Sequence, residues 1–159
     1  MGKIFRTAIF LPLLISSSCT TQLSEICQKE WANIDQGLTR VKEYAKVAGA
    51  LDVGAKRSIA SLDDGAAAAE LKVAEDAKAD VLSELAAGIR RAQWAQDVAT
   101  ENNARSLKGD LAQLVVQLVS AYGYAEENLW KRFDGQLTRV STSAEKIREK
   151  ACSVGTQGK

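Results

Sequence analysis

The chain contains no histidine, and its one proline is Pro12. The first absence removes the commonest general base and the commonest metal ligand, and with them any serine–histidine or cysteine–histidine nucleophile. Cysteine-rich zinc spacing is missing, and no glycine-rich loop precedes a lysine in the phosphate-cradling pattern. No strong charge of one sign is present either: the formal net charge is +1, too small for a global field that draws the chain to nucleic acid. Aromatics make up 6% of the residues. No alternating run of β-branched residues is long enough to compete as a strand. These absences leave an all-α chain expected to be non-enzymatic, with no cofactor, no metal, no nucleic-acid partner and no small-molecule substrate.

The first residues carry the clearest signal. Lys3 and Arg6 give a positive start, Ala8 to Ile15 is a short apolar run, and Ser16, Ser17 and Ser18 lead into Cys19. This is the layout of a bacterial secretory signal. A bilayer-spanning helix needs roughly 20 apolar residues, so the run is too short for an uncleaved anchor. Ile15 to Cys19 resembles the lipobox of bacterial lipoproteins, although Ser16 stands where that family usually places leucine. The resemblance implies cleavage before Cys19 and lipidation of that cysteine. Thr20 in place of aspartate implies sorting to the outer membrane, facing the periplasm. Ordinary signal-peptidase cleavage near Ser18, giving a soluble periplasmic or secreted protein, is the competing reading.

Cysteine parity agrees with a lipidated Cys19. The chain has 3 cysteines, and removing Cys19 leaves Cys27 and Cys152 as an even pair in an oxidising compartment. Closing so long a loop contributes on the order of 4 kcal/mol in the chain-entropy model. Two thiols that never meet are the alternative.

The expected domains are a signal over 1–18, a lipidated terminus and short tether over 19–21, a helical bundle over 22–152 and a flexible tail over 153–159. The first helix begins near Gln22. Its stripe of Cys27, Trp31, Ile34, Leu38, Val41, Ala45 and Ala48 alternates steps of four and three, which puts one apolar face along the rod. Gly49, Asp52 and Gly54 weaken it, after which either Ile59 and Leu62 continue the helix past a kink or Asp52 to Asp64 form a connector. Asp63 or Asp64 reads as the cap of a second helix, whose thinner stripe is Leu71, Ala74, Val81, Leu85, Ile89, Ala92 and Ala99. Asn102 and Asn103 mark its stop. A third helix runs from about Ser106 toward Cys152, roughly 70 Å if unbroken. Gly123 and Asp134–Gly135 are its expected bending points, and Leu111 to Ala125, apolar around more of its circumference than the rest, is expected to be the most buried segment of the bundle. Together these predict an elongated bundle of three long amphipathic helices, one of them broken, with coiled-coil-like packing. A plain up-down-up order would hold Cys27 and Cys152 at opposite ends, too far for the ~6 Å a disulfide requires. A crossing connector over 52–64, a fold-back within helix 3, or no disulfide would resolve the conflict.

One internal echo stands out. Trp31, Asp35, Leu38, Thr39, Arg40, Val41 and Ala45 match Trp130, Asp134, Leu137, Thr138, Arg139, Val140 and Ala144 at a constant offset. A duplicated element with two equivalent faces is one reading, and chance in a biased helical composition is the other.

Acidic pairs read as structure: Asp63–Asp64 as a cap, and Glu126–Glu127 as solvated surface. Trp31 and Trp130 fall on apolar seams. Trp94 lies off its helix's stripe beside Arg90 and Arg91, which makes these three the candidate partner contact. The terminal Lys159, on a helical chain with such a signal, is similar to the peptidoglycan-linked outer-membrane lipoprotein. That family is far shorter.

The expected function is a membrane-anchored helical bundle that docks or spaces another envelope protein. A phage- or plasmid-borne exclusion protein is a sharper option within that class. The alternative is a membrane-active protein in which Leu111 to Ala125 inserts into bilayers.

Overall fold

The computed structural model describes residues 31–60 and 64–156, and within these ranges the chain is helical apart from its turns. Four helices pack against one another: α1 (Trp31–Ala60), α2 (Asp64–Glu101), α3 (Arg105–Glu126) and α4 (Trp130–Thr156). The all-α expectation holds, but the long third helix is two helices. The expected start near Gln22, Cys19, Cys27 and residues 61–63 lie outside the described residues.

The same device makes both described reversals. Asn103 and Asn128 adopt left-handed backbone angles, φ 55° and 57°. Asparagine tolerates this region better than most side chains. The amide of the next residue then reaches back to a carbonyl in the last helical turn: Ala104 to Ala99 at 2.9 Å, and Leu129 to Tyr124 at 2.8 Å. Carbonyls that would otherwise be orphaned at the helix ends are thereby satisfied. The first reversal was legible at Asn102–Asn103. The second falls at Asn128, and the helices run straight through Gly123 and Gly135.

Hydrogen bonds between neighbours fix the order as up-down-up-down. Arg40 on α1 grips Glu84 on α2 with two bonds of 2.7 and 3.1 Å, and Arg91 donates to the Asn33 carbonyl at 3.2 Å. Gln136 on α4 donates to the Gln117 carbonyl on α3 at 3.1 Å. Further along, Asp110 on α3 is held by Lys150 and Lys146 on α4. Because α4 turns back along α3, the start of α1 and the end of α4 share one pole: Trp31 lies beside Glu145 and Arg148. This arrangement removes the conflict over the positions of the chain ends.

The core collects one stripe from each helix. Trp31, Ile34, Leu38 and Val41 meet Val81, Leu85, Ala92 and Ala99, then Leu107, Leu111, Leu114 and Leu118, then Phe133, Leu137, Val140 and Ile147. Alanine on α2 lets neighbouring backbones approach closely, and α1 and α2 share the most extensive helix contact in the bundle. Gly37 belongs to that approach, since a Cβ there would stand 3.4 Å from the Glu84 carboxylate.

Other expectations are corrected. The α1 helix continues through Gly49 and Gly54 to Ala60, with Trp130 packed 3.6 Å from where a Gly49 Cβ would sit. The α4 helix reaches Thr156, past the expected tail boundary at Ser153. Leu71 on the α2 stripe is exposed, because α1 and α2 extend beyond the α3–α4 turn as a two-helix tip. Leu111 to Ala125 has few exposed residues, in line with a deeply buried segment, but its outer face is open. Its inner residues are buried, while Val116 and Val119 are 65% and 52% exposed.

Two measurements test this fold. Asn128→Ala should cost roughly 1–2 kcal/mol, because alanine gains no compensation at positive φ, whereas Asn128→Gly should be near neutral; urea denaturation followed by circular dichroism reads both. The second concerns Asp110. The hydrogen bond from Lys150 holds its carboxyl below the ordinary aspartate range against the opposing effect of burial, helped by the charges of Lys150 and Lys146. Its stabilising contribution is therefore complete above the ordinary aspartate value near ~4 and is lost as pH falls through the depressed folded value. Asp110→Asn should flatten the acid limb of stability against pH and leave the shape above about pH 5 unchanged.

Candidate functional sites

The seam between α1 and α4 is the most open of the four helix boundaries. The two helices run antiparallel but meet over few residues, and two grooves lie along the gap. One, of about 440 Å³, is floored by Ala45, Gly49, Phe133 and Leu137 and rimmed by Lys42, Lys46 and Asp134. The other, of about 230 Å³, is lined by Trp31, Asp35, Thr39, Ser141, Glu145 and Arg148.

These grooves are where the internal echo becomes spatial. Trp31, Asp35, Leu38 and Thr39 line the smaller groove, and their counterparts Trp130, Asp134, Leu137 and Thr138 line the larger. The opposite walls correspond as well: Lys42, Lys46 and Gly49 stand at the same offset from Ser141, Glu145 and Arg148. Even a local bond repeats, with the Thr39 and Thr138 hydroxyls donating to the Asp35 and Asp134 carbonyls at 3.0 and 3.1 Å. The echoed segments therefore face each other as an approximate two-fold pair.

The grooves differ in chemistry. Trp130 sits over Gly49 in the larger one, edge-on to Phe133 with ring centroids 5.7 Å apart. Trp31 sits beside Arg148 in the smaller one. Each groove also contributes one buried polar atom without a hydrogen-bond partner among the described residues: the Trp130 indole nitrogen and the Ser141 hydroxyl. Such groups are uncommon in folded proteins, and nothing in the sequence pattern marked them.

The partner-contact candidates on α2 lie together. Trp94 is 43% exposed and shares a shallow depression of about 350 Å³ with Ala87, Arg90 and Arg91. Arg90 faces solvent. The Arg91 guanidinium is anchored to the Asn33 carbonyl, so one cation of the pair is fixed by the α1–α2 contact. The patch lies near the pole where α1 begins.

Cys152 is half-buried on α4; Cys19 and Cys27 lie outside the described residues. Glu126 ends α3 and Glu127 follows it, both exposed. No group of three or more histidine, cysteine or acidic side chains is placed to hold a metal among the described residues. No described helix is long and apolar enough to cross a membrane.

No family model matches the chain, and no curated protein or solved structure matches it with significance.

The exposure of Trp94 has a direct optical test. Acrylamide quenching should act most strongly on Trp94 and least on Trp31, which is 3% exposed. Trp94→Phe should remove the steepest component of the Stern–Volmer plot, while Trp31→Phe should leave it in place.

Proposed function

We propose that the chain is a non-enzymatic lipoprotein of a bacterial envelope, held to the outer membrane through lipid on Cys19 and facing the periplasm. In this reading the bundle is a spacer and docking element for another envelope protein. The observation that carries it is the sharing of one pole by the start of α1 and the end of α4. A tether at Cys19 then holds that pole, and α2, 38 residues and about 57 Å long, carries the opposite tip away from the bilayer. Several acyl chains at ~0.8 kcal/mol per buried CH₂ make such a tether stable, whereas a single chain binds only marginally.

Pairing of Cys27 with Cys152 belongs to the same proposal. Cys27 stands four residues before Trp31 in the sequence, and Trp31 shares a groove with Arg148, four residues before Cys152. The bond would staple the tether-side pole where α1 and α4 otherwise touch least. Trp94 with Arg90 and Arg91 is the proposed partner contact, since exposed tryptophan and arginine are the residues that most often anchor interfaces.

The deciding experiment is the intact mass of the mature chain from membranes, with and without reductant. The expected result is a diacyl- or triacyl-modified Cys19 and a gain of two hydrogens on reduction. Cys19→Ser should move the protein from the membrane fraction to the soluble fraction. A freely soluble chain with an unmodified amino terminus would reject the tether.

A further inference from the structure

The outer face of α3 has no partner within the described bundle. From Leu111 to Ala125 the helix carries no charged residue. Leu111, Leu114, Leu118, Ala121 and Ala125 satisfy the core, while Val116 and Val119 point away from it at 65% and 52% exposure. Gly109 and Gly123 continue the outer stripe, and an added Cβ at either would meet nothing within 4 Å. Water thus covers an apolar strip along a helix 22 residues and about 33 Å long. Such a strip marks an interaction surface more often than a plain solvent face.

The charges at its two ends identify the occupant. Arg105 and Lys108, both exposed, stand at the amino-terminal end, and Glu126 and Glu127, also exposed, at the carboxy-terminal end. Val116 lies midway between Arg105 and Glu127. A second α3 laid antiparallel about a two-fold axis at Val116 therefore sets Arg105 against Glu127, and leaves Lys108 two residues out of register with Glu126, about 3 Å along the helix and within reach of its long side chain, twice over. The same operation sets Gly109 against Gly123, where the absence of side chains lets the helices come close. The face is complementary to itself, as an isologous two-fold interface requires. A parallel pairing would instead stack like charges at both ends.

We propose that two copies of this chain associate through α3, antiparallel, with Val116 on the two-fold axis. One helix face buries less than the ~1,200 Å² typical of stable complexes, so the pair is weak when free in solution. The pairing itself does not depend on the tether.

Cysteine cross-linking of the purified full chain, at high concentration in solution, tests it. Val116→Cys should give a reductant-sensitive dimer under mild oxidation, with a yield roughly tenfold or more above Ala112→Cys or Val119→Cys, whose copies lie too far apart along the axis. The parent chain, treated alike, sets the background from native cysteines. Adding Arg105→Glu and Lys108→Glu to Val116→Cys should abolish the dimer, and further adding Glu126→Lys and Glu127→Lys should restore it. Circular dichroism of each variant checks that the helices persist. Equal yields at 112, 116 and 119 would overturn the antiparallel axis. No dimer at 116 would overturn the pairing, and binding of the purified chain to phosphatidylethanolamine–phosphatidylglycerol vesicles without that cross-link would assign the face to lipid instead.

Discussion

A single backbone hydrogen bond, from the Leu129 amide to the Tyr124 carbonyl across a left-handed Asn128, decides the architecture. Without that reversal the second half of the chain would be one rod, and its apolar stripe would outrun anything available to cover it. With it, the stripe folds into two facing halves. Phe133, Leu137, Val140 and Ile147 return along Leu107, Leu111, Leu114 and Leu118 and close the core against α1 and α2. The ion pairs that Asp110 makes with Lys146 and Lys150 follow from this return. The shared pole of the two chain ends follows from it as well.

The stripes themselves were legible in the sequence because helix burial has a period, and every residue of the third-helix stripe from Leu107 to Leu118 is buried where that period puts it. What did not show was anything decided by a neighbour. Gly49 looked like a weak point, yet the helix continues there with the Trp130 ring packed against it. Leu71 fits the α2 period but lies where α3 and α4 have turned back, so little remains to cover it. Leu111 to Ala125 was legible as a deeply buried segment, but its open outer strip was not, because an uncharged circumference does not distinguish a core from an interface. Asn128 was missed because Gly123 and Gly135 are louder breakers, although asparagine just past a helix end is itself a recognisable stop.

The candidate sites divide along the same line. Trp94 and Arg90 were found from their distance to the stripe, a local property, and both are exposed. The two grooves could not be found that way, since each needs α1 and α4 side by side. The repeated segment gave a partial signal: seven matched residues announced a likeness, but only the packing turns that likeness into two corresponding walls. Where the residues differ, at Lys42, Lys46 and Gly49 against Ser141, Glu145 and Arg148, the two grooves acquire different chemistry.

The uneven closeness of the four boundaries sets the order in which the molecule comes apart. Broad contact between α1 and α2, reinforced by the two-bond grip of Arg40 on Glu84, makes that hairpin one cooperative unit. The sparse meeting of α1 with α4 makes their boundary the cheapest to open. Sub-global opening therefore proceeds like a door, with the α3–α4 hairpin swinging on the α2–α3 turn at Asn103 while the first hairpin stays intact. In such a motion the amides of α4 would lose hydrogen-exchange protection before those of α1, and the face of Phe133 would be the first part of the core to meet water.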